Sequence, residues 1–126
     1  MLARVLSCIA CDGVRQEPGG KATILGFAGV LPDAKVSVGS EGSTDLCLFI
    51  STLGEGEAEL AFELLDPFGA VVAEPSGVNV NWDGKDSLRS VVLSIPDVDL
   101  LKEGRYTLAV LSEGMTAYAS SFEVKN

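Results

Sequence analysis

The stretch Glu59-Leu-Ala-Phe-Glu-Leu-Leu-Asp-Pro-Phe-Gly-Ala70 decides the fold class. Leu60, Phe62 and Leu64 alternate with Glu59, Ala61 and Glu63, which is the period-two pattern of a strand with one face in a core and the other in water. Asp66-Pro67-Phe68-Gly69 then supplies a turn, because Pro67 presets φ and Gly69 lifts the steric limit on the backbone. The chain is therefore expected to return as a paired strand over Ala70 to Glu74.

Outward from this hairpin the same signal recurs at roughly the 8–12-residue spacing of sandwich and barrel proteins. Upstream, apolar runs cover Ala3 to Cys11 and Ala22 to Val30, and the intervening Gln16-Glu-Pro-Gly-Gly20 predicts a hairpin. A weaker run over Ala34 to Val38 leads through a loop at Gly39 to Ser43 into Asp45 to Thr52. There Leu46, Leu48 and Ile50 share one face while Cys47 and Phe49 take the other. Downstream, Val78, Val80 and Trp82 alternate with Asn79 and Asn81, and Asp83-Gly84 reads as a two-residue hairpin turn before Leu88 to Ile95. Pro96 to Gly104 reads as a connection with one helical turn, and Glu113-Gly114 joins Arg105–Ser112 to Thr116–Val124 as a terminal hairpin. No segment carries a helical stripe. The expectation is one all-β domain over residues 1–126, an antiparallel immunoglobulin-like β-sandwich of about eight to nine strands.

Cys11-Asp12-Gly13-Val14, then Gly20-Lys21, then Ala22-Thr-Ile-Leu-Gly26-Phe27 form a C-D-x-V, G-K, G pattern. It resembles the opening of a bacterial family of small immunoglobulin-like proteins to which no activity is assigned. Asp66-Pro-Phe-Gly69, Glu103-Gly-Arg-Tyr106 and Phe122-Glu-Val124 are similar to that family too, although such pieces occur in many sandwich domains. The resemblance implies a bacterial or phage-related sandwich in which Cys11, Asp12, Lys21 and Gly26 belong to one local structural signature. It implies no catalysis.

Composition narrows the partners. Apolar residues make up 47% of the chain before its 14 glycines are counted, and including glycine while leaving out the two tyrosines brings the fraction to about 56%, above the roughly 45–50% of average domains. Yet no stretch approaches the roughly 18 consecutive apolar residues of a membrane-spanning helix. The surplus points to a protein contact rather than a bilayer. With 18 acidic against 9 basic residues the net charge is −9, and the scattered Lys and Arg form no cluster that could hold a phosphate backbone. Met1 to Cys11 has the look of a lipoprotein signal, but it is too short for separate charged and apolar regions and Arg4 interrupts it. A cytoplasmic protein with reduced thiols is expected, since Cys8, Cys11 and Cys47 are odd in number.

The chemistry-bearing candidates are few. Without a histidine there is no Ser-His-Asp or Cys-His nucleophile and no histidine-ligated zinc. Cys8 and Cys11 have C-x-x-C spacing, but residues three apart on a strand face opposite sides and cannot converge on one metal. Gly19-Gly-Lys-Ala-Thr23 has a passing likeness to a phosphate loop, yet Arg15 occupies the first glycine position and Ala22 replaces the hydroxyl residue. Asn79, Asn81 and Asp83, with Gly84 sixth, match the start of a calcium loop, but Ser90 stands where a bidentate Glu belongs. Asp86 is a further weak carboxylate candidate there. Glu57, Glu59 and Glu63 share a strand face that reads as solvated rather than catalytic. Trp82, Tyr106 and Tyr118 are the aromatic candidates for a sugar platform, each also placed for a core strand.

The resulting expectation has no catalytic and no cofactor-binding residue. It is a non-catalytic interaction or structural module that binds a protein partner, or itself as a homo-oligomer, through a sheet edge or an apolar sheet face. No nucleic acid and no membrane enter. The alternative is a weak calcium- or ligand-binding sandwich using the Asn79 to Asp86 loop, and an enzyme built on carboxylates alone comes third.

Overall fold

The computed structural model describes residues 3–37, 43–74, 77–100 and 102–125, without the side chains of 43, 44, 85, 86 and 96–99. Val38, the expected loop at Gly39 to Ser43 as far as residue 42, and the Asp86 side chain lie outside the described residues. The strands are β1 (Arg4–Cys11), β2 (Gly13–Gln16), β3 (Ala22–Leu25), β4 (Gly29–Val30), β5 (Lys35–Ser37), β6 (Ser43–Leu65), β7 (Val71–Ala73), β8 (Val78–Asp99), β9 (Gly104–Ser112) and β10 (Met115–Lys125). A single 3₁₀ turn at Pro18–Gly20 is the only helical element among the described residues. The chain is thus almost entirely β, with a large, mostly antiparallel mixed sheet that is nearly barrel-shaped.

The organising element is a long ribbon of β6 and β8. Asp45–Thr52 and Glu59–Leu64 were expected as separate strands, but they run on as one, and so do Val78–Trp82 and Leu88–Ile95. In the first half of the ribbon Leu48 pairs with Leu93 and Ile50 with Val91, and in the second half Ala58 pairs with Val80. The expected hairpin turn at Asp83-Gly84 is instead a bulge. Gly54 pairs with Ser87 and Gly56 with Trp82, so Asp83 to Asp86 lie opposite the lone Glu55. The Ser87 hydroxyl closes the bulge by donating to the Asp83 carbonyl. The reason is the partner strand: Gly54-Glu-Gly56 lets β6 bend without stopping, Gly56 at φ 69°, and β8 follows it by taking up extra residues. Within Pro96 to Gly104 no helical turn occurs among the described residues, and β8 stays extended through Asp99.

On its other edge β6 carries β1 along the first half, with Cys8 opposite Ile50, and β9 along the second, with Phe62 opposite Val110. β10 follows β9 through a two-residue turn at Glu113 (φ 51°) and Gly114 (φ 79°). β5 joins β10 in parallel, Val36 opposite Val124, so the all-antiparallel expectation is corrected at this edge. The N-terminal runs do pair, Ile9 with Val30, but the turn at Pro18–Gly20 closes a separate hairpin of β2 and β3. The Asp66 turn forms as expected and returns into β7.

One core lies between the two halves of the ribbon. It holds Cys8 and Ala10 from β1, Leu46, Leu48, Ile50, Leu60, Phe62 and Leu64 from β6, and Leu108, Val110, Phe122 and Val124 from β9 and β10. At the bend, the Trp82 indole packs over Gly54, where a Cβ would stand 2.6 Å from ring carbons. Its Nε1–H donates to the Thr52 hydroxyl at 3.1 Å, and that hydroxyl donates to the Arg89 carbonyl at 2.6 Å. No buried side-chain nitrogen or oxygen among the described residues lacks a partner.

Candidate interaction surface

Strand alternation puts every second residue of the first half-ribbon on the face turned away from the core. Three transverse rows lie on that face. Ser7, Ser51 and Ser90 form one; Val30, Ile9, Phe49 and Val92 form the next; Cys11, Cys47 and Ser94 form the third. None of these side chains carries a charge, on a chain of net charge −9. Charged residues appear only beyond the rows, with Arg4 at one end opposite Leu53 and exposed Asp45 at the other. Leu88, which pairs with Leu53, is 71% exposed, and Val92 is 36% exposed.

The same face ends in an open edge. Among the described residues β8 pairs only with β6. The Arg89 carbonyl faces β6, since Thr52 donates to it, and backbone groups alternate between the two edges of a strand. The N–H and C=O of Leu88, Ser90, Val92 and Ser94 therefore point to the free side. Ser87 to Ile95 contains one charged residue, Arg89, and no proline. Arg89 turns back across the ribbon bend, where its guanidinium donates to the Asn81 carbonyl at 3.0 Å, closing a groove of about 250 Å³ lined by Val78 to Asn81 and Arg89 to Val92. The sequence had identified this segment as a strand but not as an edge. Its run of β-branched and aliphatic residues from Ser90 to Ile95, without charge or proline, was the available signal, because unprotected edges with that composition invite strand addition.

The other candidates fall differently. Cys8 and Cys11 face opposite sides, Cys8 in the core cluster and Cys11 outside it, as the spacing required. Cys11 instead lies in register with Cys47 and its thiol points at the Cys47 carbonyl at 3.7 Å. All three cysteines are free and buried. Burial pushes the Cys8 thiol up to about 12, with Cys11 adding to it, and burial with the Cys47 contact pushes Cys11 up to about 11. Both are held as unreactive thiols near neutral pH.

Of the family-like signature, Asp12 and Gly26 come together. Gly26 has φ 61°, and a Cβ there would overlap the Asp12 carboxylate, while the Asp12 N–H donates to Leu25 O at 2.8 Å. Lys21 sits apart, exposed just after the 3₁₀ turn, with its carbonyl accepting from the Glu17 N–H. The phosphate-loop look-alike at Gly19 to Thr23 runs from that turn straight into β3.

Asn79, Asn81 and Asp83 lie along extended β8 rather than coiling around a common point, and Asp86 is outside the described side chains. No group of three or more acidic, cysteine or histidine residues that could hold a metal occurs among the described residues. Trp82 and Tyr106 are 2% and 1% exposed, so neither offers a platform, and Tyr118 is partly buried against the core. Glu57 and Glu59 are exposed and Glu63 half-buried, on the outer side of β6. A second cleft, of about 290 Å³, is lined by Cys11, Asp12, Phe27, Lys35 and Asp45 among others. No helix among the described residues is long and apolar enough to cross a membrane.

No protein-family model matches the chain, and no curated protein does. Among solved structures it is similar to the Pseudomonas fluorescens alkylpurine DNA glycosylase AlkC, bound to DNA containing an abasic site analog, with 12% identity and a TM-score of 0.42. The alignment covers 73% of this chain but 27% of that one. A likeness that remote carries no argument about activity.

Proposed function

We propose that the chain is a non-catalytic protein-interaction module with an immunoglobulin-like sandwich architecture, which takes up another β-strand along the open edge of β8. The observation that carries this reading is the Ser87 to Ile95 edge, with its outward backbone groups, single tethered charge and adjoining uncharged face. Strand addition uses such an edge directly: main-chain hydrogen bonds supply affinity and alternating side chains supply selectivity.

Three features support the sandwich. The bent ribbon divides the strands into β1, β4 and the first half-ribbon on one side, and the second half-ribbon with β9, β10 and β5 on the other. The Tyr106 hydroxyl donates to the Lys102 carbonyl at 2.9 Å, just upstream of its own strand, which is the geometry of a tyrosine corner. The parallel β5–β10 pair completes one edge. The Asp12–Gly26 contact supports a shared structural role for part of the family-like signature, and three unpaired thiols support a cytoplasmic setting.

Amide hydrogen exchange at Ser90 and Val92 tests the reading. In the assembled protein both amides should be protected, although they face away from β6, and Val92→Pro should abolish the assembly while keeping the fold, because proline at an edge-facing position removes no internal ladder bond. Free exchange of both amides at every concentration and in native-host extract would overturn it.

A further inference from the structure

Resting on that reading, we infer that the strand added at β8 is β8 of a second copy, antiparallel, with Ser90 on the two-fold axis opposite Ser90 of the other chain. A two-fold interface must be self-complementary, and the edge meets this condition in one register with little left over. With Ser90 on the axis, the outward backbone groups of Leu88 face those of Val92 in the other copy, and Ser90 faces its counterpart. Each of these is then a hydrogen-bonded pair of an antiparallel ladder.

The side chains agree with this register. Leu88 and Val92 are the exposed large apolar residues of the edge, and the register sets each against the other twice, once on either side of the axis. Such cross-strand apolar pairs are the unit by which sheets gain stability. The uncharged rows of the outer face would also continue across the axis, since Phe49 and Val92 are followed by Leu88 of the second copy.

Charge favours a second copy over a strand from an oppositely charged partner. A basic partner would find no carboxylate among the described side chains of Ser87 to Ile95, and an acidic one would find only Arg89, which is committed to the Asn81 carbonyl. Two chains of net charge −9 repel at long range, so their contact must carry no carboxylate where they meet, and the one charge of this edge, Arg89, is turned back onto the Asn81 carbonyl. Their association should then strengthen with added salt, the opposite of a charge-steered complex.

Size-exclusion chromatography with light scattering, combined with cysteine cross-linking, tests the proposal. Wild type should elute at twice the 13.1 kDa chain mass, more completely at high salt. Ser90→Cys should cross-link under copper–phenanthroline oxidation, because Cα atoms of a hydrogen-bonded pair lie about 5.5 Å apart, within the roughly 4.4–6.8 Å range of disulfides. Ser94→Cys, eight residues from its counterpart along the paired strands and so about 26 Å away, should not. Wild type, with its buried thiols, is the blank. A monomeric mass at all concentrations, or Ser94→Cys cross-linking as readily as Ser90→Cys, overturns the inference. If the mass is monomeric but host extract protects the Ser90 and Val92 amides, self-pairing fails and the edge reading stands; if nothing protects them, both fail.

Discussion

Replacing Thr52 by valine probes the joint that holds the ribbon's bend. Thr52 is fully buried, and its hydroxyl accepts from the Trp82 indole and donates to the Arg89 carbonyl. Valine keeps the branched shape and removes both bonds. The indole N–H then faces a methyl group with no water to replace its partner, at a cost of about 1–3 kcal/mol for a buried donor left unsatisfied. The Arg89 carbonyl loses only an additional donor, because its ladder position opposite Thr52 is retained. For a chain of this length 1 kcal/mol corresponds to about 3–5 °C, so Tm should fall by about 3–15 °C. Urea unfolding followed by the fluorescence of the chain's single tryptophan reads the same loss. Thr52→Ser, which keeps both bonds and removes one methyl, should lose about 1 kcal/mol. In a Trp82→Phe background Thr52→Val should cost at least about 1 kcal/mol less than in wild type, since the donor is already gone. A Thr52→Val protein as stable as wild type would refute the account of the bend.

Further outcomes follow from the turns and thiols. Asp66 is 5% exposed and bonded to the Lys102 ammonium at 3.0 Å and to the Ala70 and Phe68 N–H groups. The Lys102 bond first, then that of Ala70, holds its carboxyl below its ordinary 3.8. A depressed folded value means the stabilisation is present above the unfolded value and lost as pH falls below it through the folded one, so the Tm advantage of wild type over Asp66→Asn should shrink on acidification from pH 5 to pH 2. Gly114→Ala should cost about 1–2 kcal/mol by denaturant titration, because a side chain at φ 79° is strained even where it meets no neighbour. Thiol titration with an aromatic disulfide at pH 8 should find Cys8 and Cys11 inert in the native protein and all three cysteines reactive once it is unfolded, since burial keeps both thiols protonated.

The parts legible in sequence were those that local chemistry dictates. Alternation at Leu60, Phe62 and Leu64 marked a strand whose inner face is in fact core, and Asp66-Pro-Phe-Gly69 and Glu113-Gly114 marked turns that form where expected. The opposed facing of Cys8 and Cys11 followed from period two alone. Asp83-Gly84 was misleading for an instructive reason. The dipeptide permits a positive φ, which serves a hairpin and a bulge equally, and only the uninterrupted partner β6 selects the bulge.

The sequence by itself determined an almost wholly β chain, an acidic surface, the absence of histidine chemistry and the face on which each strand residue falls, because these depend on composition and on a two-residue period. Tertiary structure alone decided that β6 and β8 run unbroken across a bend, that β5 joins β10 in parallel, that Cys11 meets Cys47, and that Ser87 to Ile95 is left as an edge. Those outcomes depend on which strands become neighbours, and pairing between segments tens of residues apart is set by how the whole apolar surface is buried at once rather than by any local signal.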